Sequence, residues 1–377
     1  MPNQKWRKNV KLVYRGIVIL FIMENILNLP AFAQVERKEN IFLTFGAGAR
    51  AHSLSSAFVS IADDYSAAMW NPGGMAFINR LCFGAMHSNL ALNRRFNFAS
   101  MAFPMYRGFK MGLSWKGFNI GNIPARAGNT LEADYYFHGN EQSIGITFSQ
   151  KLFTLLGLGL NVNYYDQSLN NEKATGFGLD AGLMLNLFSR WKVGLAFYDF
   201  KSRVEWSTGQ RDIFKKIGRL GISYQITHGA LIALAADDKN QYSAGIEVNV
   251  LESFLLRSGW RDNKLAVGLG FVIPLKNLQL NINYAVSNDQ IDSELHHLLD
   301  FSLSYYPKYR IDEKVVRIST AFLNVRKGPG IYYKKIGAVR YGQKFRIISK
   351  KANWVKIKID GKTSGWVNRV YVEFLRN

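Results

Sequence analysis

Residues able to do chemistry are sparse in this chain, and none of them form a catalytic set. His296-His297 has the donor atoms for a metal, but adjacent residues on a strand point to opposite faces. No nearby Cys or spaced His completes a ligand set. Gly157-Leu-Gly and Gly268-Leu-Gly lie in alternating runs, as small residues on one strand face rather than as phosphate loops. The patterns G-x-S-x-G, G-x-x-x-x-G-K-S/T and H-E-x-x-H do not occur. No catalytic residue, metal ligand or cofactor is therefore expected, and the chain reads as a non-enzyme. Its one cysteine, Cys82, excludes an intramolecular disulfide and reads as a small apolar strand residue.

The most distinctive polar residues come early. Arg50 sits in the run Gly46-Ala-Gly-Ala-Arg-Ala-His-Ser, Asp63 and Asp64 in Ala62-Asp-Asp-Tyr-Ser-Ala-Ala68, and Asn71 in Trp70-Asn-Pro-Gly-Gly74. The two aspartates can pair with arginines, for which Arg50, Arg94 and Arg95 are the candidates, and such a pair would fix the segment in place. The other reading is two solvated turn aspartates. Asn71-Pro72, with Gly73 behind it, is a strong turn former and reads as a rigid return toward the first strand. The segment lacks sustained strand periodicity; a short strand or helical turn is expected over 55–61 and a helical turn over 65–70.

The elements that must position these residues divide the chain into parts. Residues 1–33 read as a secretory signal: Lys5, Arg7, Lys8, Lys11 and Arg15 precede an apolar stretch from Gly16, and Ala31-Phe-Ala33 is an A-x-A cleavage site. Glu24, Asn25 and Asn28 interrupt the apolar run, which counts against the alternative of a retained anchor helix. The net charge of +21 is unevenly placed. Residues 307–377 hold 18 Lys/Arg against four Asp/Glu, while 34–306 hold 25 against 22. The basicity belongs to a C-terminal module, so at least two domains are implied.

From about residue 80 to 306 the chain is almost wholly period-two. Leu156, Leu158, Leu160, Val162 and Tyr164 alternate with Gly157, Gly159, Asn161, Asn163 and Tyr165; Leu278, Leu280, Ile282 and Tyr284 alternate with Gln279, Asn281, Asn283 and Ala285. One face is an apolar row and the other is built from Gly, Ser, Asn and Asp. Tilted strands of about 9–11 residues, apolar toward lipid and small or polar toward a lumen, describe an outer-membrane β-barrel, with about 14 strands as the even count. Trp115, Tyr164, Tyr165, Tyr224, Tyr284 and Tyr305 suit interfacial girdles. A large soluble sandwich or propeller is the alternative, and no fixed repeat supports a propeller. The stretches 121–141 and 201–216 read as extended loops, and 261–263 and 275–277 as tight turns.

The early motif resembles the FadL-like outer-membrane barrels, and within them the PorV/PorQ branch. The resemblance rests on Ala57-Phe58, Ala62-Asp63-Asp64-Tyr65-Ser66-Ala67-Ala68 and Trp70-Asn71-Pro72-Gly73-Gly74, with Gly73 where that family has alanine. It implies that residues 34–79 form a hatch inside or across the barrel of residues 80–306, with Arg50, Asp63, Asp64, Trp70, Asn71, Pro72 and Gly73 as the hatch motif. It implies two possible roles: passage of hydrophobic small molecules across the outer membrane, or service as a scaffold or accessory of type IX-like protein secretion.

After a linker over 307–314 the alternation breaks. Residues 315–377 carry Leu323-Asn-Val-Arg-Lys-Gly-Pro-Gly330, Trp354-Val-Lys-Ile357 and Gly365-Trp-Val367 before Tyr371, and in these they resemble a bacterial SH3-type domain. Short strands bounded by Gly and Asp turns fit a small barrel of five or six strands, with Leu323, Val325, Ile336, Val339, Ile347, Val355, Ile357 and Val367 as its core. The candidate ligand groove is Asn324, Arg326, Pro329, Tyr333, Trp354, Trp366 and Tyr371; core or rim packing is the other reading of both tryptophans. The resemblance implies cell-wall or peptide binding. The basic charge independently favours polyanions such as peptidoglycan carboxylates and lipid headgroups. The export signal argues against nucleic acid. An even barrel returns both its ends to one side, where short turns face the periplasm, so the tail is expected there.

Overall fold

Alternation of small and apolar residues decides the architecture. In the computed structural model, residues 38–187, 190–227, 229–251, 253–288, 295–306, 315–360 and 363–375 are described. The expected signal (1–33), the first residues of the expected hatch (34–37) and the expected linker (307–314) lie outside them. The wall is made of β1 (Leu81–Leu90), β2 (Arg94–Pro104), β3 (Phe109–Ala125), β4 (Tyr135–Leu152), β5 (Leu156–Leu169), β6 (Glu172–Leu187) and β7 (Trp191–Tyr198). A short hairpin follows, β8 (Arg203–Trp206) and β9 (Arg211–Ile213). The wall resumes with β10 (Ile217–Thr227), β11 (Ala230–Asp237), β12 (Tyr242–Leu251), β13 (Phe254–Arg261), β14 (Lys264–Leu275), β15 (Leu278–Asn288) and β16 (Leu295–Tyr305).

Every wall strand pairs antiparallel with the next, β7 with β10, and β1 closes on β16. The hairpin β8–β9 rises from β6 and lies outside the cycle, so the wall is a closed barrel of 14 strands. Leu81 pairs with Tyr305, so the chain enters and leaves the wall at one rim, here the near rim. Links at this rim are short. The longer excursions, 126–134 and 199–216, lie at the far rim. The stretches read as loops are partly strand: β3 and β4 reach 17 and 18 residues and pair through Ala125 and Tyr135, and 201–216 contains the β8–β9 hairpin.

Outward positions carry Leu113, Trp115, Ile144, Ile146, Phe148, Leu158, Leu160, Leu220, Ile222, Phe301 and Leu303, all exposed. A closed wall wrapped in exposed apolar side chains is stable only in lipid, where closure leaves no unpaired strand edge. Aromatics mark both edges of the belt. Trp191 and Tyr224, Phe254 and Phe271, and Tyr305 lie toward the near rim, with Trp115, Tyr164 and Tyr284 above them. Tyr165 departs from the expected girdle: the pleat turns it inward, where it is 1% exposed. No helix among the described residues is long and apolar enough to cross a membrane; the crossing elements are strands.

The C-terminal unit is a separate seven-stranded sheet of β17 (Val315–Ile318), β18 (Phe322–Arg326), β19 (Lys335–Arg340), β20 (Lys344–Lys351), β21 (Trp354–Lys358), β22 (Ser364–Asn368) and β23 (Val372–Leu375). The count exceeds the expected five or six because the two ends of the unit, β17 and β23, are both strands and pair with one another. Its core holds Val316, Ile318, Leu323, Val325, Val339, Val355, Ile357, Val367 and Val372, with Ile347 packed against it. Ile336 is not part of that core. A bulge opposite Val325 and Arg326 leaves it as the extra residue, 41% exposed.

Candidate functional site

The barrel lumen is occupied by the chain's own N-terminal segment. Lys38 starts at the far rim, bridging to Phe214 with backbone hydrogen bonds of 3.0 and 2.9 Å to Ile213 and Lys215. The segment then passes through three short helices, α1 (Ile41–Phe45), α2 (Ala49–Ser53) and α3 (Ala67–Trp70), and a 3-10 turn over Gly74–Phe77. It reaches the near rim at Arg80, whose Nε donates to Ser304 Oγ at 3.0 Å. Residues 55–61 form consecutive turns rather than a strand, and the helical turn over 65–70 is α3.

Inward strand glycines let the two backbones approach. A Cβ on Gly159 would lie 2.1 Å from the Pro72 carbonyl carbon, one on Gly157 2.3 Å from the Gly73 oxygen, and one on Gly182 2.2 Å from Asn71 Oδ1. The Asn71-Pro72-Gly73 turn therefore rests directly on β5 and β6. Asn71 is fully committed there: its Nδ2 donates to Val59 O (2.8 Å) and Leu183 O (3.0 Å), and its Oδ1 accepts from Gly73 N at 2.9 Å. Trp70 is buried, its Nε1 donating to Ala47 O at 2.6 Å and its carbonyl accepting from the Tyr198 hydroxyl. These motif residues are structural.

Arg50, Asp63 and Asp64 come together as one ionic cluster. Arg50 Nη1 lies 2.7 Å from Asp63 Oδ1 and 3.4 Å from Asp64 Oδ2. Its Nε and Nη2 grip Glu247 of β12 bidentately at 2.7 and 3.0 Å. Glu247 also accepts from Arg257 of β13 at 2.6 Å, and Asp63 from Lys192 of β7 at 3.2 Å. Three cations face three carboxylates. Burial alone would raise the Asp63 pKa, but Lys192 and Arg50 outweigh it and hold the carboxyl well below the usual range. A cavity of about 240 Å³ opens beside the cluster at the near rim, lined by Arg50, Asp63, Arg190, Lys192 and Glu247. Arg94 and Arg95 take no part. Arg94 donates to Ala91 O at 2.7 Å, and Arg95 faces outward.

Two further polar groups hold the hatch and were not singled out from the sequence. Asp300 of β16 accepts from Ala49 N at 2.6 Å and from Asn283 Nδ2 at 2.7 Å. Asp199 accepts from Asn40 Nδ2 and from Tyr165 OH, each at 3.1 Å; Asp180 accepts from Asn161 and Asn163 and sits near Lys116. The sequence signal for Glu247, Arg257, Asp180, Asp300 and Lys116 is a charge on the small-residue face of a period-two strand. Such a charge must find a partner when that face is closed from water.

In the C-terminal unit, Asn324, Arg326, Trp354 and Trp366 share the sheet face opposite the core, with Arg326 paired to Trp366 and Trp366 to Lys356. Pro329 is half-buried in the Gly328–Gly330 turn, against which the Tyr333 ring packs; Arg326 Nη1 donates to Tyr333 O at 2.9 Å. Tyr371 is packed against the core instead. Six of the seven candidate residues thus fall into two adjoining groups. His296 and His297 point to opposite faces, and no group of three or more His, Cys, Asp or Glu among the described residues is placed to hold a metal.

The closed 14-strand wall filled by the chain's own N-terminal segment has the fold of FadL-like barrels, and the seven-stranded module that follows it has the fold of a bacterial SH3-type domain. Residues 321–373 match the family described as bacterial SH3 domain. The barrel is similar to the toluene transporter TodX of P. putida (TM-score 0.52, 12% identity, 71% of this chain and 100% of that one). It is also similar to the monoaromatic hydrocarbon channel CymD (0.52, 10%, 72% and 100%) and to a FadL homologue of Pseudomonas aeruginosa (0.50, 13%, 68% and 97%). At such identities the likeness is one of fold. Over 69 residues the chain is 41% identical to bacteriocin BCN5 of Clostridium perfringens, covering 18% of this chain and 8% of that protein.

Proposed function

We propose that the protein passes small hydrophobic compounds across the outer membrane by rearrangement of its hatch, while the SH3-type domain sits in the periplasm and binds peptidoglycan. The observation that carries the passage reading is the hatch itself. It runs from rim to rim inside a lipid-facing wall and is held by discrete polar groups, so it can shift without unfolding the barrel. The named activity of the similar barrels supports the same direction, and the basic charge of residues 307–377 supports the cell-wall role. Uptake of apolar probes by liposomes carrying the purified protein tests it: flux above protein-free liposomes is expected, and none with any probe overturns the reading. Residues 315–377, which have their own core, are expected to pellet with purified peptidoglycan at low salt; retention in the supernatant at every ionic strength overturns the wall-binding part.

The second reading is a scaffold or accessory of protein secretion, as in the PorV/PorQ branch, or a tether between outer membrane and wall. Backbone packing of the Pro72-Gly73 turn on Gly157, Gly159 and Gly182 favours it, because a plug seated on backbone suits a permanently closed barrel. Secretion components recovered with the protein in pull-downs, together with absent flux, would decide for it.

A further inference from the structure

The seam where β16, β1 and β2 meet carries an outward-facing polar cluster that takes no part in holding the hatch. His297 pairs with Asn89 and Asn89 with Arg95, so the three stand side by side in one row across adjacent strands. The next row toward the near rim holds His87 and Asn97, joined by a bond of 2.7 Å between His87 Nδ1 and Asn97 Oδ1. These residues follow the apolar outward positions Phe83, Phe301 and Leu303 toward the far rim. Arg95 is exposed and meets no hydrogen-bond or ionic partner among the described residues. The described outward positions of β12–β16 and β1–β3 hold no Asp or Glu, so the patch is cationic.

Beside the cluster, the lipid-facing wall carries a groove of about 480 Å³, whose lining includes Ile246, Leu256, Ser258, Val267, Tyr284 and Val286. Ser258 is the small residue among larger ones, and its Oγ donates to Ala266 O at 3.3 Å, so the wall itself satisfies the hydroxyl. Cluster and groove are joined: Tyr284 OH bonds to His297 Nδ1, and Val286 pairs with His297. From His297 the pairing row runs through Val286, Val267 and Ser258 to Ile246, and it ends on Trp191 at the near rim. The groove therefore descends from the cluster into the apolar belt.

We propose that this seam holds one membrane lipid with an anionic phosphate headgroup, its phosphate on Arg95 beside the Asn89 and Asn97 amides and one acyl chain along the groove. The site rests on the lipid-facing wall, and on neither the passage nor the wall-binding reading. A guanidinium binds phosphate through two parallel hydrogen bonds, and side-chain amides add neutral donors. A cation on the lipid face is tolerated near the interface and costly at the midplane, which fits Arg95 at the far end of β2. From His297 to Ile246 the row crosses four strand spacings, about 19 Å. That length carries an acyl chain well into one half of a hydrocarbon core about 30 Å thick. A soluble anion would use the cluster alone, and a plain hydrocarbon the groove alone.

Native mass spectrometry of the full chain in a non-ionic detergent tests this with three probes. Dioleoylphosphatidylglycerol carries both parts, dioleoylglycerol lacks the phosphate, and glycerol 3-phosphate lacks the chains. One phosphatidylglycerol per barrel is expected, bound at least about tenfold more tightly than dioleoylglycerol, as charge-assisted hydrogen bonds allow. Glycerol 3-phosphate in large excess should not displace it. Arg95→Gln should bring phosphatidylglycerol down to the level of dioleoylglycerol and leave dioleoylglycerol unchanged. Ser258→Phe, which fills the groove from the outward face of β13, should weaken both lipids at least about fivefold through lost chain contact. Both substitutions sit outside the lumen, and either decides the matter alone if the other fails to assemble. Equal retention of the two lipids marks a non-specific lipid shell, and displacement by glycerol 3-phosphate marks a soluble-anion site. Either result, or phosphatidylglycerol binding that survives a substitution unchanged, overturns the proposal.

Discussion

Arg50 is the residue on which the hatch's ionic anchorage turns, because it bonds to carboxylates of both hatch and wall. Arg50→Met leaves Glu247 with Arg257 and Asp63 with Lys192, so the loss falls below the 3–5 kcal/mol of a fully orphaned buried charge, at about 2 kcal/mol. We expect faster amide hydrogen exchange over residues 46–74 with the wall unchanged; unaltered exchange there would remove the cluster's holding role. The cluster also sets a pH window. Because the Asp63 pKa is depressed in the folded state, its contribution is complete above the ordinary carboxylate pKa of about 4 and is lost as pH falls below it. Hatch protection, corrected for intrinsic exchange, should be flat from about pH 5 to 8; a decline already present near pH 6 contradicts this assignment. The pairing of Arg50 with Asp63 was open to sequence reasoning because the two lie 13 positions apart in one motif. Its bond to Glu247, 197 positions away, was not, since no local pattern carries a contact made only by closure of the wall.

Among the elements, β5 and β6 do the work of seating the hatch, through glycines on their inward face. Gly159→Val would set side-chain carbon against the Pro72 and Gly73 backbone, which cannot yield as a flexible side chain could. The expected result is an unseated hatch, read as raised single-channel conductance in planar bilayers; conductance equal to the parent would show that the turn does not seal the lumen. Alternation made these strands legible, as Leu158 and Leu160 outside and Gly157 and Asn161 inside attest. It misplaced their ends, because above the lipid level pairing no longer needs an apolar face, and β3 continues through Gly121-Asn-Ile-Pro-Ala125 without one. Ile336 misled for a related reason: a bulge changes which face a residue occupies without leaving a mark on residue type.

At the scale of the whole molecule, the even strand count and the Leu81–Tyr305 pairing put both ends of the wall at one rim. If that rim is periplasmic, as its short links imply, the C-terminal domain is shielded from protease added to intact cells and cut only after the outer membrane is permeabilised. Digestion of the domain on intact cells would invert the orientation. Charge distribution made the two-domain plan legible, since the excess of Lys and Arg begins where the alternation stops. What the lumen contains was readable only through family resemblance, because a hatch segment has no periodicity of its own.

The hatch touches both sides of the seam where the wall closes: a Cβ on Gly84 of β1 would strike the Tyr65 ring, and Asp300 of β16 accepts from Ala49 N. The hatch precedes β1 in the chain and β16 is the last wall strand, so the plug is synthesised before any strand of the wall, and the seam joins the first wall strand to the last. A finished cylinder lined with contacts this close leaves no room to thread a folded segment through it. The segment that fills the cylinder is thus also the surface on which its seam is laid.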